Sequence, residues 1–165
     1  MLQFFNLKGK QPFQLLFLCV LLFFASCASH KAKVRDEKVS KVVTTARSYT
    51  GTPYKYGGTT RSGMDCSALL VHSFRTIDIN LPRTSEDQSK MGKELKLKEI
   101  QPGDLVFFAT GKKKRRVTHV GLVTERKSMN NIKFIHASTT LGVVEDNIYT
   151  KYYKDRFRHG RRVIN

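Results

Sequence analysis

A glycine-bearing loop, Tyr56-Gly57-Gly58-Thr59-Thr60-Arg61-Ser62-Gly63, runs straight into Asp65-Cys66-Ser67 and then into the apolar run Ala68-Leu69-Leu70-Val71. Leu70, Phe74 and Ile77 recur at helical spacing, which predicts a buried helix with Cys66 on its first turn. A helix start offers unpaired backbone N–H groups and partial positive charge. Both favour a thiolate, the nucleophilic form of cysteine. A small buried core residue is the commoner use of such a cysteine, so the rest of the chain has to discriminate between the two.

Around this segment the pattern changes character along the chain. Val39, Val42, Val43, Ala46 and Tyr49 predict a first helix, ended by Gly51-Thr52-Pro53. The Cys66 helix is expected to run to about Ile77. Leu81-Pro82-Arg83-Thr84-Ser85 reads as extended, with a short helix from Ser85 to Met91. Beyond it, Gln101-Pro102-Gly103-Asp104 is a turn signal and Leu105 to Phe108 a short buried strand. Further strands are expected over Val117 to Thr124, Ile132 to Ser138 and Leu141 to Val144. Tyr149 to Phe157 suggests a short helix, and Arg161 to Ile164 an edge strand. Helices first and hairpin-linked strands afterwards predict an α+β fold, with N-terminal helices packed on a central antiparallel β-sheet and the cysteine at a helix N-terminus.

The first residues read differently. Lys8 and Lys10 precede an apolar run from Phe13 to Ala25, broken only by Gln14. That run is far short of the roughly 20 residues a membrane-spanning helix needs and has the form of an export signal. It ends Phe24-Ala25-Ser26-Cys27, which resembles a bacterial lipobox, with Phe24 where Leu is usual. The expected organisation is a lipoprotein signal peptide over 1–26, a lipidated Cys27 with a tether over 27–37, and one domain over 38–165. An ordinary secretory signal cut after Ala25 is the competing reading. The three cysteines are Cys19, Cys27 and Cys66. With Cys19 in the signal and Cys27 lipidated, Cys66 is left without a disulfide partner in an oxidising compartment, which favours a chemical use for it.

The chain carries net charge +17, and Lys8 and Lys10 are the only charged residues before Cys27, leaving +15 on the remainder. Such a balance suits a polyanion or an anionic surface. An export signal turns that expectation away from nucleic acid and toward a membrane surface or cell-wall polymer. The basic run Lys112 to Arg116 reads as a solvated hairpin tip or as an electrostatic guide for acidic substrates.

Five histidines compete for the role of base. His30 lies in the tether, His72 sits about 240° around the helix from Cys66, and His159 falls in a basic turn beside Gly160. His119 and His136 remain, one on each of two consecutive strands. Alternation places Val117, His119 and Gly121 on one face, and Phe134, His136 and Ser138 on one face of the next strand. Both imidazoles are therefore expected on the same side of the sheet, toward whatever packs there, with the Cys66 helix as the natural candidate. Cysteine, histidine and a third polar group are what thiol acyl chemistry requires: nucleophile, proton acceptor and orienter. Zinc is the competing use of Cys and His, but there is no close ligand pair and no second cysteine to support it. No cofactor is expected.

Gly51-Thr52-Pro53-Tyr54-Lys55-Tyr56-Gly57-Gly58, Asp65-Cys66-Ser67, Leu81-Pro82-Arg83-Thr84-Ser85, Pro102-Gly103-Asp104-Leu105-Val106-Phe107-Phe108, Thr118-His119-Val120-Gly121 and Phe134-Ile135-His136-Ala137-Ser138 occur in that order. Together they resemble the NlpC family of bacterial cysteine peptidases, papain-like enzymes that cut peptidoglycan stem peptides. The lipid-anchored murein endopeptidases of that family are the nearest likeness. The resemblance implies Cys66 as nucleophile, His119 as base and His136 as orienting residue. It further implies Tyr54 near the thiol, with Asp65 and Ser67 as substrate contacts. Ala68 stands where the family commonly has Gly. The implied partners are peptidoglycan stem peptides and, through the anchor, the membrane of the cell envelope, with the outer membrane facing the periplasm as the expected site. A non-catalytic binding module for cell wall or anionic surfaces is the alternative from a different class.

Overall fold

The computed structural model describes residues 30–111 and 115–165. The chain divides into two units between Asp36 and Glu37. The signal, lipobox and lipidation readings, with Lys112, Lys113 and Lys114, fall outside the described residues.

Helix α1 covers residues 30–47. Within the second unit it buries Val39, Val42, Val43 and Ala46, the positions its apolar spacing picks out. The segment expected as a tether is helical from residue 30. Apolar spacing marks the turns of a helix that are buried, and exposed turns carry no such mark.

Helix α2 spans Cys66–Arg75. Asp65 is its N-cap, in extended conformation, with its carboxylate accepting from the Ala68 amide at 2.8 Å. The glycine loop before it folds into a two-stranded hairpin, β1 (Thr59–Thr60) and β2 (Gly63–Met64). A single turn, α3 (Ser85–Gln88), is capped by Thr84 and stops short of the expected Met91.

The main sheet contains β3 (Lys93–Leu95), β4 (Leu105–Phe108), β5 (His119–Ser128), β6 (Asn131–Ser138), β7 (Gly142–Asn147) and β8 (Phe157–Arg162). Their order is β3-β8-β4-β5-β6-β7, and each pairing is antiparallel. The α+β expectation is met. The last strand differs from expectation: β8 starts earlier and lies inside the sheet, between β3 and β4. The three-residue strand Lys-Glu-Leu that covers it is too short and too charged to announce itself by alternation.

The sheet has two apolar faces. Leu105, Phe107, Val120, Leu122, Ile135 and Ala137 pack against α1 and α2. Val106, Phe108, Ile132, Phe134 and Ile148 form a second core on the other face, closed by Tyr153 of α4 (Lys151–Arg156) and by Phe157. Phe107, Phe108 and Phe134 are fully buried, each contributing about 1.5–3 kcal/mol of transfer free energy.

The turn before β4 shows how a short motif anchors this sheet. Gly103 has φ +86°, which a side chain would resist, and the Asp104 amide donates to Gln101 O at 3.1 Å across the turn. The fully buried Asp104 carboxylate then accepts both Arg162 Nε and Nη2 at 2.8 Å, pinning β8 beside β4.

Candidate active site

Cys66 is the first residue of α2 and is almost fully buried. The backbone N–H groups of Val120, Ser67 and Cys66 itself are directed at its sulfur and favour the thiolate, but burial outweighs them and, with the nearby Asp65 charge, pushes the thiol up to about 11. The helix start thus acts in the expected direction, toward thiolate, but desolvation outweighs it.

His119 opens β5, paired with Phe108 of β4. His136 lies on β6, opposite Val144. The two rings meet edge to face at 4.9 Å between centroids, with His119 Nε2 and His136 Nδ1 2.9 Å apart. Burial, then the neighbouring His136, pushes His119 down to about 3, so the imidazole is neutral. The expected common side for the two histidines is what the strands produce, but the element packed there is not α2. His136 stacks on Phe134 at 4.8 Å and meets Tyr153 edge-on, while His119 lies against Phe108. Both belong to the second core's face, and α2 packs on the first. Cys66 instead reaches the start of β5 from its own face, at the Val120 amide immediately after His119.

Sequence reasoning missed two partners of His136. Its Nε2 lies 3.0 Å from Asp146 Oδ2 and 3.1 Å from Tyr153 OH. A carboxylate two residues beyond the expected end of β7, on the same alternation as Val144, was a legible signal for Asp146. Burial lowers the His136 pKa, and the hydrogen bond and charge of Asp146 oppose that.

Asp65 is saturated with donors. It accepts from Gly57 N at 3.1 Å, Ser67 Oγ at 2.9 Å, Ala68 N at 2.8 Å, and from Arg83 Nη1 and Nη2 at 2.9 and 2.6 Å. Arg83 Nη1 also donates to Ser67 Oγ. Burial would raise the Asp65 pKa, but Arg83, the Ala68 amide and Ser67 hold it below the usual carboxylate range. Arg83, expected only as part of an extended segment, lines the groove. Cys66, Tyr54, Asp65, Ser67, Arg83 and Thr118 border one depression of about 370 Å³. A second, of about 380 Å³, opens beside His119, His136, Tyr153 and the hydroxyls of Thr110, Ser138 and Thr140. Thr118 and His119 thus stand between the two.

His72 and His159 are placed away from this chemistry. His72 Nε2 lies 2.8 Å from Thr59 O, bracing the β1-β2 hairpin. His159, expected in a turn, is inside β8 and stacks on Phe107 at 5.3 Å. Arg116, from the basic loop, pairs with Glu86.

Residues 51–162 match the NlpC/P60 family. The chain belongs to the NlpC/P60 family. It is 37% identical over 156 residues to the probable endopeptidase NlpC of Escherichia coli K12, covering 90% of this chain and 97% of that protein. It is 34% identical over 127 residues to the murein DD-endopeptidase MepS/murein LD-carboxypeptidase of the same strain, covering 76% of this chain and 63% of that protein. Its NlpC/P60 fold superposes on a crystal structure of a Bacillus cereus family member with a TM-score of 0.69, 27% identity, and coverage of 77% of this chain and 40% of that one.

Proposed function

We propose that this chain is a peptidoglycan hydrolase, a cysteine endopeptidase that cuts amide bonds in murein stem peptides or their cross-links. The observation that carries the reading is the buried thiol at the start of α2, set against the amide that follows a neutral, hydrogen-bonded histidine. Its NlpC/P60 membership and its relatives' endopeptidase activity on murein support it.

His119 Nε2 is engaged by His136, so Nδ1 is the nitrogen left to act as base. A substrate carbonyl seated over Cys66 is attacked by sulfur as the thiol proton passes to His119 Nδ1. Because thiol and imidazole are both neutral at rest, proton transfer accompanies attack. Backbone N–H groups at the helix start stabilise the oxyanion. The tetrahedral carbon then expels the amine, which leaves with the proton from His119. Water, deprotonated by the same nitrogen, hydrolyses the thioester and regenerates the thiol. His136 orients His119. Tyr54, Ser67 and Arg83 present the substrate side of the groove. Asp65, its lone pairs already occupied, acts there by holding Arg83 and Ser67.

Envelope location follows from the polymer acted on. Lipidation at Cys27 is the proposed means of retention there, and mass spectrometry of the membrane-extracted protein tests it: an unmodified mature N-terminus rejects it. For the activity, Cys66→Ala is expected to abolish release of soluble muropeptides from purified sacculi while leaving the melting temperature within a few degrees. Undiminished release rejects the cysteine-peptidase reading, and the mass of the released fragments identifies the bond cut.

A further inference from the structure

The nitrogens of the two histidines form a directed chain whose far end is a carboxylate. Starting from Asp146 on β7, Oδ2 stands 3.0 Å from His136 Nε2; His136 Nδ1 stands 2.9 Å from His119 Nε2; and His119 Nδ1 is left over. A carboxylate only accepts hydrogen bonds. The proton must therefore sit on His136 Nε2. A neutral imidazole carries one proton, so His136 Nδ1 is a bare lone pair. That lone pair can only accept, which places the His119 proton on Nε2 and leaves Nδ1 bare. The tautomer of each ring is dictated by its neighbour, and the direction of the whole chain by Asp146.

Tyr153 reinforces this direction. Its hydroxyl lies 3.1 Å from His136 Nε2 and is also hydrogen-bonded to Asp146; burial first, then the Asp146 charge, pushes its pKa up, so it stays a neutral donor to the carboxylate. Among the described residues, the hydrogen-bond and ring partners of His136 are His119 from β5, the Phe134 ring from its own strand, Asp146 from β7 and Tyr153 from α4, and Tyr152 lines the same depression.

We propose that Asp146 is a positioning residue of the thiol chemistry: through His136 it fixes the tautomer of His119 so that Nδ1, the nitrogen needed by the Cys66 thiol, carries no proton. This rests on the cysteine-peptidase reading for its catalytic meaning, but the tautomer assignment is a property of the folded chain alone. The proposal extends the site to a fourth member that touches no substrate. Asp146 is also the most solvent-accessible member of the chain, with a side chain 36% exposed against 1% for His136.

The isosteric substitution Asp146→Asn reverses the direction. The Tyr153 hydroxyl claims the amide oxygen, so the amide N–H donates to His136 Nε2. His136 then carries its proton on Nδ1, His119 accepts at Nε2, and His119 Nδ1–H can no longer take the thiol proton. In serine peptidases, the comparable carboxylate-to-amide change, by this wrong-tautomer route, costs on the order of 10⁴-fold. With one more ring in the chain, a loss of about 10²–10⁴-fold in kcat with little change in KM is expected.

The experiment uses full-length protein labelled with ¹⁵N-histidine, with tautomers read from the nitrogen shifts and couplings in the wild type, Cys66→Ala, Asp146→Asn, Asp146→Glu and Tyr153→Phe. The wild type and Cys66→Ala should show Nε2–H on both His119 and His136. Asp146→Asn should show Nδ1–H on both, Asp146→Glu should restore the wild-type tautomers and much of kcat, and Tyr153→Phe should keep them. Nδ1–H on either histidine in the wild type overturns the proposal, as does full kcat in Asp146→Asn, or lost kcat with tautomers unchanged. A flip in Tyr153→Phe would move the assignment from Asp146 to the tyrosine and also overturns it. If Asp146→Asn fails to fold, the wild-type spectra still decide. Activity persisting in Cys66→Ala would defeat the peptidase reading, whereas the nitrogen shifts judge the tautomer chain independently.

Discussion

Replacing Asp65 separates the architecture of the thiol's surroundings from the thiol chemistry itself. The carboxylate caps α2 through the Ala68 amide and takes both terminal nitrogens of Arg83. Loss of an N-cap costs about 1 kcal/mol. The bidentate pair is geometrically favourable, but Arg83 has a side chain 43% exposed, so after solvent screening it contributes about 1 kcal/mol rather than the full value of a buried pair. The stranded Gly57 amide and Ser67 hydroxyl add a further ~0.5 kcal/mol. Asp65→Ala should therefore cost about 2–3 kcal/mol, which lowers the melting temperature by about 6–12 °C for a domain of this size. Asp65→Asn keeps an oxygen for the cap and should cost about half as much. The pH dependence has a definite sign. The Asp65 pKa is lowered in the folded state, so its contribution is present above the unfolded value of about 3.9 and is lost as pH falls through the folded one. Circular-dichroism melts from pH 7 down to pH 2.5 on wild type, Asp65→Ala, Arg83→Ala and the double variant supply the data. A coupling of about 1 kcal/mol between Asp65 and Arg83, and a shallower acid limb in Asp65→Ala, are expected. Strict additivity of the two substitutions, or an unchanged acid limb, would refute the reasoning.

Two further outcomes follow from the same geometry. Cys66 alkylation by iodoacetamide should rise about tenfold per pH unit from pH 7 toward the thiol's value near 11, with no plateau at neutral pH, because the thiol is protonated at rest; a plateau reached by pH 7 would show an ion pair instead. A methyl group at Gly121 would stand 2.4 Å from the Phe134 ring on which His136 stacks, so Gly121→Ala should lose about 1–3 kcal/mol by thermal melt and more activity than its stability loss explains.

Much of the candidate site was legible before any coordinates. Local chemistry is read locally: Cys66 at a helix start, Gln101-Pro102-Gly103-Asp104 as a turn, and the alternation that puts His119 and His136 on one face all depend on neighbours within a few residues, whereas the capping of that helix by Asp65 emerged only with the coordinates. The motif order pointed to the NlpC/P60 family, and the family match bears that out. The helical run before Val39 was missed because its turns are exposed, and β3 because three residues carry no periodicity.

What the sequence by itself determined is the fold class, the family and the residues available for chemistry, since those follow from composition, spacing and period. The tertiary structure alone decided how they meet. Arg83 reaches Asp65 across 18 residues, and strand register brings Asp146 and Tyr153 to His136. The histidines side with the second core, and the amide after His119 is turned toward the thiol on the first. Register and burial are long-range quantities, set by which strand lies beside which and how much water is excluded. That exclusion is also why the helix end does not make Cys66 a thiolate: the field of a helix terminus is a local property, but the desolvation that outweighs it belongs to the whole packed domain.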